Sequence, residues 1–174
     1  MGEPRKLPTT KLTQEQFDNL VKDLRGSVYV LCLNIEALIA QNGKLSDIGI
    51  AVIKETRYNV GIVPLYLHAL EQVGKLIMVT GCKDTFNGTH YDLESIKYDF
   101  YNHNKKLELA LESLPDEIKD IFTNDKPENL KIIERLKMLH SDINKDGNIV
   151  YARLVDTDKL EKAFKVFKNK QFSY

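Results

Sequence analysis

Ser27-Val28-Tyr29-Val30-Leu31-Cys32-Leu33-Asn34 is the stretch on which the fold turns. Val28 to Leu33 is an unbroken apolar run, rich in β-branched and aromatic side chains. A run without polar alternation is what a strand buried on both faces requires. The residues before it read as a helix. Thr13 and Gln16 have the spacing of a capping box, and Phe17, Leu20, Val21 and Leu24 follow at helical intervals. Gly26 then stands where a helix ends. The expectation is a loose leader and N-terminal helix over 1–26, and one domain over 27–174.

Outward from this strand, Ile35 to Lys44 reads as a connection with its turn at Asn42-Gly43. Ile48 to Ile53 reads as a second buried strand. Gly61 to Leu70 is apolar, but Pro64 leaves strand and helix both open. Leu76 to Thr80 reads as a strand. Leu107, Leu109 and Leu111 alternate like a strand among helix-forming neighbours, so that element also stays open. Ser113 with Pro115 opens a short helix carrying Ile118, Ile121 and Phe122. Pro127 to His140 is the clearest helix. Ile149 to Ala152 is a short strand, and Thr157 to Lys168 a last helix with Leu160, Ala163, Phe164 and Phe167 inward. Apolar strands mixed with amphipathic helices give an α/β domain with at least one parallel strand pair. The helix before Ile149 supplies the crossover onto Val28–Leu33.

The chain has 174 residues, enough for one domain with a sizeable core. Its 25 basic and 25 acidic side chains cancel, which argues against a strongly basic nucleic-acid module. Two cysteines, Cys32 and Cys82, exclude a disulfide scaffold and a four-cysteine zinc cluster. No apolar run approaches the ~18 residues of a membrane span, and the polar start is unlike a secretory signal. The chain therefore reads as intracellular, cytoplasmic or nuclear, with no membrane partner.

Four constellations bear on chemistry. Asn34-Ile35-Glu36 follows the first strand, and Asp47-Ile48-Gly49 opens the second. This layout is similar to the opening of the four-carboxylate ribonuclease-H-like exonucleases, where acidic residues hold two magnesium ions. Glu36, Asp47 and Asp156 are the candidate catalytic carboxylates. Asn34 replaces the first acid with a neutral amide, and no histidine follows His140 to complete a late His-Asp pair. Asp142 to Ile149 matches a calcium loop at several positions, but Arg153 stands where the bidentate glutamate belongs. His68, His90, His103 and His140 lack the spacing of a helical metal pair, and packed or surface roles are the default. The last helix carries Lys159, Lys162, Lys165, Lys168 and Lys170 around its circumference, which reads as a solvated face or a weak phosphate-binding patch.

With these elements placed, the chain resembles the Maelstrom domain, a ribonuclease-H-like domain of small-RNA transposon silencing. Val28-Tyr29-Val30-Leu31 looks like its first strand, and Asp47-Ile48-Gly49 stands where the family has Glu-Ile-Gly. Gly61-Ile62-Val63 with Tyr66-Leu67-His68, Gly74 with Leu76, and Thr89-His90 follow in the family's order. Val150-Tyr151-Ala152-Arg153, Asp156 and the helix to Phe167 resemble its last strand, acidic turn and helix. The resemblance implies a ribonuclease-H-like mixed sheet flanked by helices. It also implies a zinc site in the family to which Asp47 would contribute one ligand.

The resemblance implies a catalytically reduced domain that binds single-stranded RNA or silencing-pathway proteins in the piRNA branch of germline gene silencing. A divergent metal-dependent 3′–5′ exonuclease or ribonuclease is the alternative. No cofactor is expected, and no metal beyond the weak candidate Asp47. Aromatic and basic residues alternate between Tyr91 and Lys106. Tyr91, Tyr98 and Tyr101 are the candidate rings for stacking on unpaired bases, and Lys97, Lys105 and Lys106 the candidate phosphate contacts.

Overall fold

The structure is a computed structural model that describes residues 4–46, 61–114, 116, 142–143, 149–150 and 157–172. Its dominant element is a helix, α1, over Gln14–Ser46. The capping box expected at its start is present. The Gln16 backbone N–H donates to Thr13 Oγ1 at 3.3 Å, and the Thr13 N–H donates to Gln16 Oε1 at 3.0 Å. The helix does not stop at Gly26. It continues for 33 residues, about 50 Å at 1.5 Å per residue.

Val28 to Leu33 is therefore helical, and the strand reading of this stretch is corrected. The physical reason lies in its neighbours. Phe17, Leu24, Val28, Cys32 and Ile35 are buried at three-, four- and seven-residue intervals, so one inward row runs unbroken through Gly26. An exposed glycine inside a helix costs only about 1 kcal/mol relative to alanine, which a continuous buried row outweighs. Gly26 and Ser27, where the sequence suggested a division between leader and domain, lie inside α1.

The second helix, α2, spans Val63–Gly81 and contains the segment Leu76–Thr80 that reads as a strand in the sequence. Pro64 sits in its first turn, where the missing N–H has no intrahelical partner to lose. The open element around Leu107 is a helix, α3, over His103–Glu112. The Asn102 side chain caps it, accepting from the N–H groups of Asn104 and Lys105. The last helix, α4, spans Thr157–Phe172, with Ala163, Phe164 and Phe167 buried as expected.

The strands are short. β1, Lys11–Leu12, pairs antiparallel with β2, Tyr91–Asp92. β3, Asp142–Ile143, pairs antiparallel with β4, Ile149–Val150. The leader is accordingly docked rather than loose: besides the β1–β2 ladder, the Leu7 N–H donates to the Lys97 carbonyl at 2.9 Å. The fold mixes helices with two small antiparallel ladders. Among the described residues there is no ribonuclease-H-like mixed sheet and no parallel strand pair. The expected strand Ile48–Ile53, the expected helix Pro127–His140 and most of the expected helix after Ser113 lie outside the described residues.

Two apolar clusters hold the elements together. The larger joins α1 through Val28, Cys32 and Ile35 to α2, α3 and α4, with Tyr66, Phe164 and Phe167 packed edge-on at its centre. The smaller joins Phe17 and Leu24 of α1 to Val79, Tyr91 and Phe100. Phe17 stacks on Tyr91 with ring centroids 3.9 Å apart, and the Tyr91 hydroxyl donates to Gln14 Oε1 at 2.7 Å. Where α2 meets α3, Gly74 lies against the backbone of Lys106. A Cβ at position 74 would come within 2.1 Å of the Lys106 carbonyl oxygen. Glycine is what lets these two helices approach so closely.

Candidate functional site

The carboxylate reading places Asn34 and Glu36 together at a strand end. On α1 they are two residues apart, about 200° around the helix, and do not face each other. Asn34 is exposed. Glu36 turns to α4, where its Oε1 accepts from Lys168 Nζ at 2.5 Å. That hydrogen bond holds the Lys168 ammonium above its usual range. Asp47 and Asp156 lie outside the described residues. Among the described residues, no three histidine, cysteine or acidic side chains converge on a metal position.

Among the described residues, His68, His90 and His103 have polar partners, and both cysteines are buried. His68 Nε2 lies 2.8 Å from the Gln72 amide, one turn along α2. His90 belongs to a tight turn in which the Asn87 side chain accepts from the N–H groups of Thr89 and His90. Gly88 takes φ 93° there, as the turn demands. Cys32 is buried, and burial pushes its thiol up to about 12. It is a packed thiol rather than a nucleophile at neutral pH. Burial likewise raises the Cys82 thiol.

The aromatic and basic segment separates into buried and exposed members. Tyr91 is buried against Phe17, so it offers no face for a base. Lys106 is also buried, with its ammonium 3.6 Å from Glu71 Oε2. The same carboxylate oxygen lies 2.8 Å from His103 Nδ1, so Glu71, His103 and Lys106 form one polar cluster locking α2 to α3. Tyr98 and Tyr101 are exposed. Lys97 pairs with Glu94 and also lies over the Tyr98 ring at 5.0 Å. Lys105 pairs with Glu108 at 3.0 Å. The two half-buried lysines of the segment, Lys97 and Lys105, thus each carry a carboxylate, and the patch lacks the excess positive charge that phosphate tracking uses.

The surface that stands out lies elsewhere, on α1. In helical geometry the run Val28–Leu33 has two apolar sides. Val28 and Cys32 go into the core, while Tyr29, Val30 and Leu33 are 49%, 53% and 43% exposed. Gly26, Ala37 and Ala40 continue this outer face and are also exposed. Beside it a groove of about 440 Å³ runs between α1 and α4. Ile39, Ala40 and Phe164 give it apolar walls, and the Glu36–Lys168 pair, Glu161 and Lys165 line it with both signs of charge.

The strand reading hid this surface, because a strand buried on both sides leaves nothing over. The sequence signal for it is the helical spacing Gly26, Val30, Leu33, Ala37, visible once the stretch is read with a 3.6-residue period. No protein-family model, curated protein or solved structure matches the chain. Among the described residues no helix is long and apolar enough to cross a membrane.

Proposed function

We propose that the chain is a binding module that docks a helical protein segment along the outer face of α1. The observation that carries this reading is the exposure of Tyr29, Val30 and Leu33 in a row on one helix. A helix apolar on both sides is ordinarily covered on both. Exposed apolar rows rimmed by charge are how helix-in-groove recognition begins, with the row and the adjoining groove taking the apolar side of the incoming helix. Of the expectations attached to the Maelstrom resemblance, this keeps protein interaction. A ribonuclease-H-like sheet and a place in small-RNA silencing rest on the order of the sequence motifs, of which the first, Val28–Leu31, is helical. Single-stranded RNA binding is the weaker reading, because Lys97 and Lys105 are each paired with an acid.

A photo-crosslinking amino acid at position 30, in the cells that express the chain, tests the proposal. The same group at position 83, on the exposed turn that follows α2, is the control. The expected result is a discrete adduct from position 30 alone, identified by mass spectrometry and lost on Leu33→Glu. The same adducts from position 83, or none from position 30, would overturn it.

A further inference from the structure

The outer face of α1 has an internal symmetry that selects one occupant. Its positions run Gly26, Val30, Leu33, Ala37, small–large–large–small, with gaps of four, three and four residues. This order reads the same in both directions. A second α1 laid antiparallel across it, related by a two-fold axis midway between Val30 and Leu33, puts Val30 against the other copy's Leu33. It puts Gly26 against the other copy's Ala37, and the small pairs at both ends let the two helices come close. A Cβ at Gly26 would meet nothing within 4 Å in the single chain, so the space at that end is open.

The charges fit the same operation. Arg25 and Glu36 are eleven residues, close to three full turns, apart, so they share one edge of the face. In an antiparallel pair like edges meet, which sets Arg25 of each copy beside Glu36 of the other, whose side chain is 41% exposed and also holds Lys168 of its own chain. The opposite edge carries Asp23, Ser27, Asn34 and Gln41, and the two-fold sets Asp23 beside the other copy's Gln41, with no like-charge clash. The net charge of zero removes long-range repulsion between copies. The shared length, from Lys22 to Gln41, is about 30 Å of helix.

We infer that the partner for the outer face of α1 is a second copy of this chain, joined α1 to α1 in an antiparallel, isologous dimer. This rests on the reading of that face as a docking surface and names its occupant. The inner row of α1 builds the core of each copy, and the outer row joins the two.

Sedimentation equilibrium of the full chain over a wide concentration range tests it, together with four variants. The wild type gives the dimer mass at the upper concentrations. Leu33→Glu gives the monomer mass throughout with an unchanged circular dichroism spectrum, since an exposed residue is altered. Arg25→Glu shifts the equilibrium toward monomer. The double variant Val30→Cys, Leu33→Cys yields a disulfide-linked dimer under mild oxidation, whereas Val30→Cys alone does not. A monomer at every concentration, a dimer indifferent to Leu33→Glu, or ready cross-linking through Val30→Cys alone would overturn the inference. A chain that stays monomeric while position 30 captures a different protein refutes the second copy and leaves the docking reading standing. A monomer with no adduct from position 30 refutes both.

Discussion

Replacing Gly74 with alanine sets two physical effects against each other with opposite signs. Helix propensity alone favours the change, since alanine in a helix interior is better than glycine by about 1 kcal/mol. The packing opposes it. The new Cβ would stand 2.1 Å from the Lys106 carbonyl oxygen, 2.6 Å from its carbon and 2.7 Å from its Cα. All three are backbone atoms, so no side-chain rotation relieves the contact, and α3 must retreat by on the order of 1 Å. Leu107, Ala110 and Leu111 are buried on α3 and would move with it, as would the contacts of His103 and Lys106 to Glu71. Overpacking of this kind costs about 1–3 kcal/mol, and the upper end applies where backbone meets backbone. The net expectation is destabilisation by about 2 kcal/mol, after the propensity gain is subtracted. Gly26→Ala is the internal control, because its Cβ meets nothing within 4 Å. There the propensity gain is unopposed, giving stabilisation by about 1 kcal/mol in the monomer. Urea unfolding followed by circular dichroism reads both, at a concentration where Leu33→Glu and wild type have the same mass. If both alanines stabilise to the same degree, the close approach of α2 and α3 is wrong.

Glu71→Gln should cost about 3 kcal/mol in the same assay, because it removes the negative charge that the buried Lys106 ammonium and His103 share. The double variant Glu71→Leu, Lys106→Met should recover much of that loss, and a strictly additive double variant would contradict the coupling. The Cys32 thiol rises from 9.0 in its reference state to about 12 in the fold. Its contribution is then complete below about pH 9, where both states hold the proton. It declines as the unfolded thiol ionises and is lost as the pH passes about 12, so unfolding free energy should fall above about pH 9. Cys32→Ala should flatten part of that decline. Thiol titration at neutral pH should label Cys32 only on unfolding, and rapid labelling in the native protein would contradict its burial. Single-stranded RNA should show no steep salt-dependent binding, because Lys97 and Lys105 are paired with Glu94 and Glu108.

The sequence made the helices legible where a single apolar row stood beside clear punctuation. The capping box at Thr13 and the inward residues of Thr157–Phe172 were both readable, because each rests on local chemistry or one unambiguous period. Val28 to Leu33 is ambiguous for a definite reason. A short run that is apolar at every position fits a strand buried on both faces and a helix buried on one side and exposed on the other. Length would have settled it: the core row begins at Phe17 and continues to Ile35, far beyond a strand. Gly26 reads as a terminator, but an isolated glycine in a long row is only a modest local penalty. Leu76–Thr80 failed for a related reason, since five residues carry no period and the helix around them is set by Tyr66, Leu70 and Val73 upstream.

The period of Val28 to Leu33 also decides the geometry of Asn34 and Glu36. On a strand, Asn34 and Glu36 point to the same side, and a metal-binding pair follows naturally. On a helix the two point nearly opposite ways, and Glu36 becomes one half of an ion pair bridging α1 and α4. The apolar residues before them, Val28 to Leu33, reverse their meaning in the same step. As a strand they are all core, with nothing left to recognise anything. As a helix, half of them are core and half are surface. The helical period that removes the carboxylate pair is the same period that exposes Tyr29, Val30 and Leu33. A single experiment on the outer row, Leu33→Glu, therefore tests the structural correction as well as the proposal. Were this stretch a doubly buried strand, a buried glutamate would unfold the chain. On the outside of α1 the variant should fold as the wild type does and lose only its association.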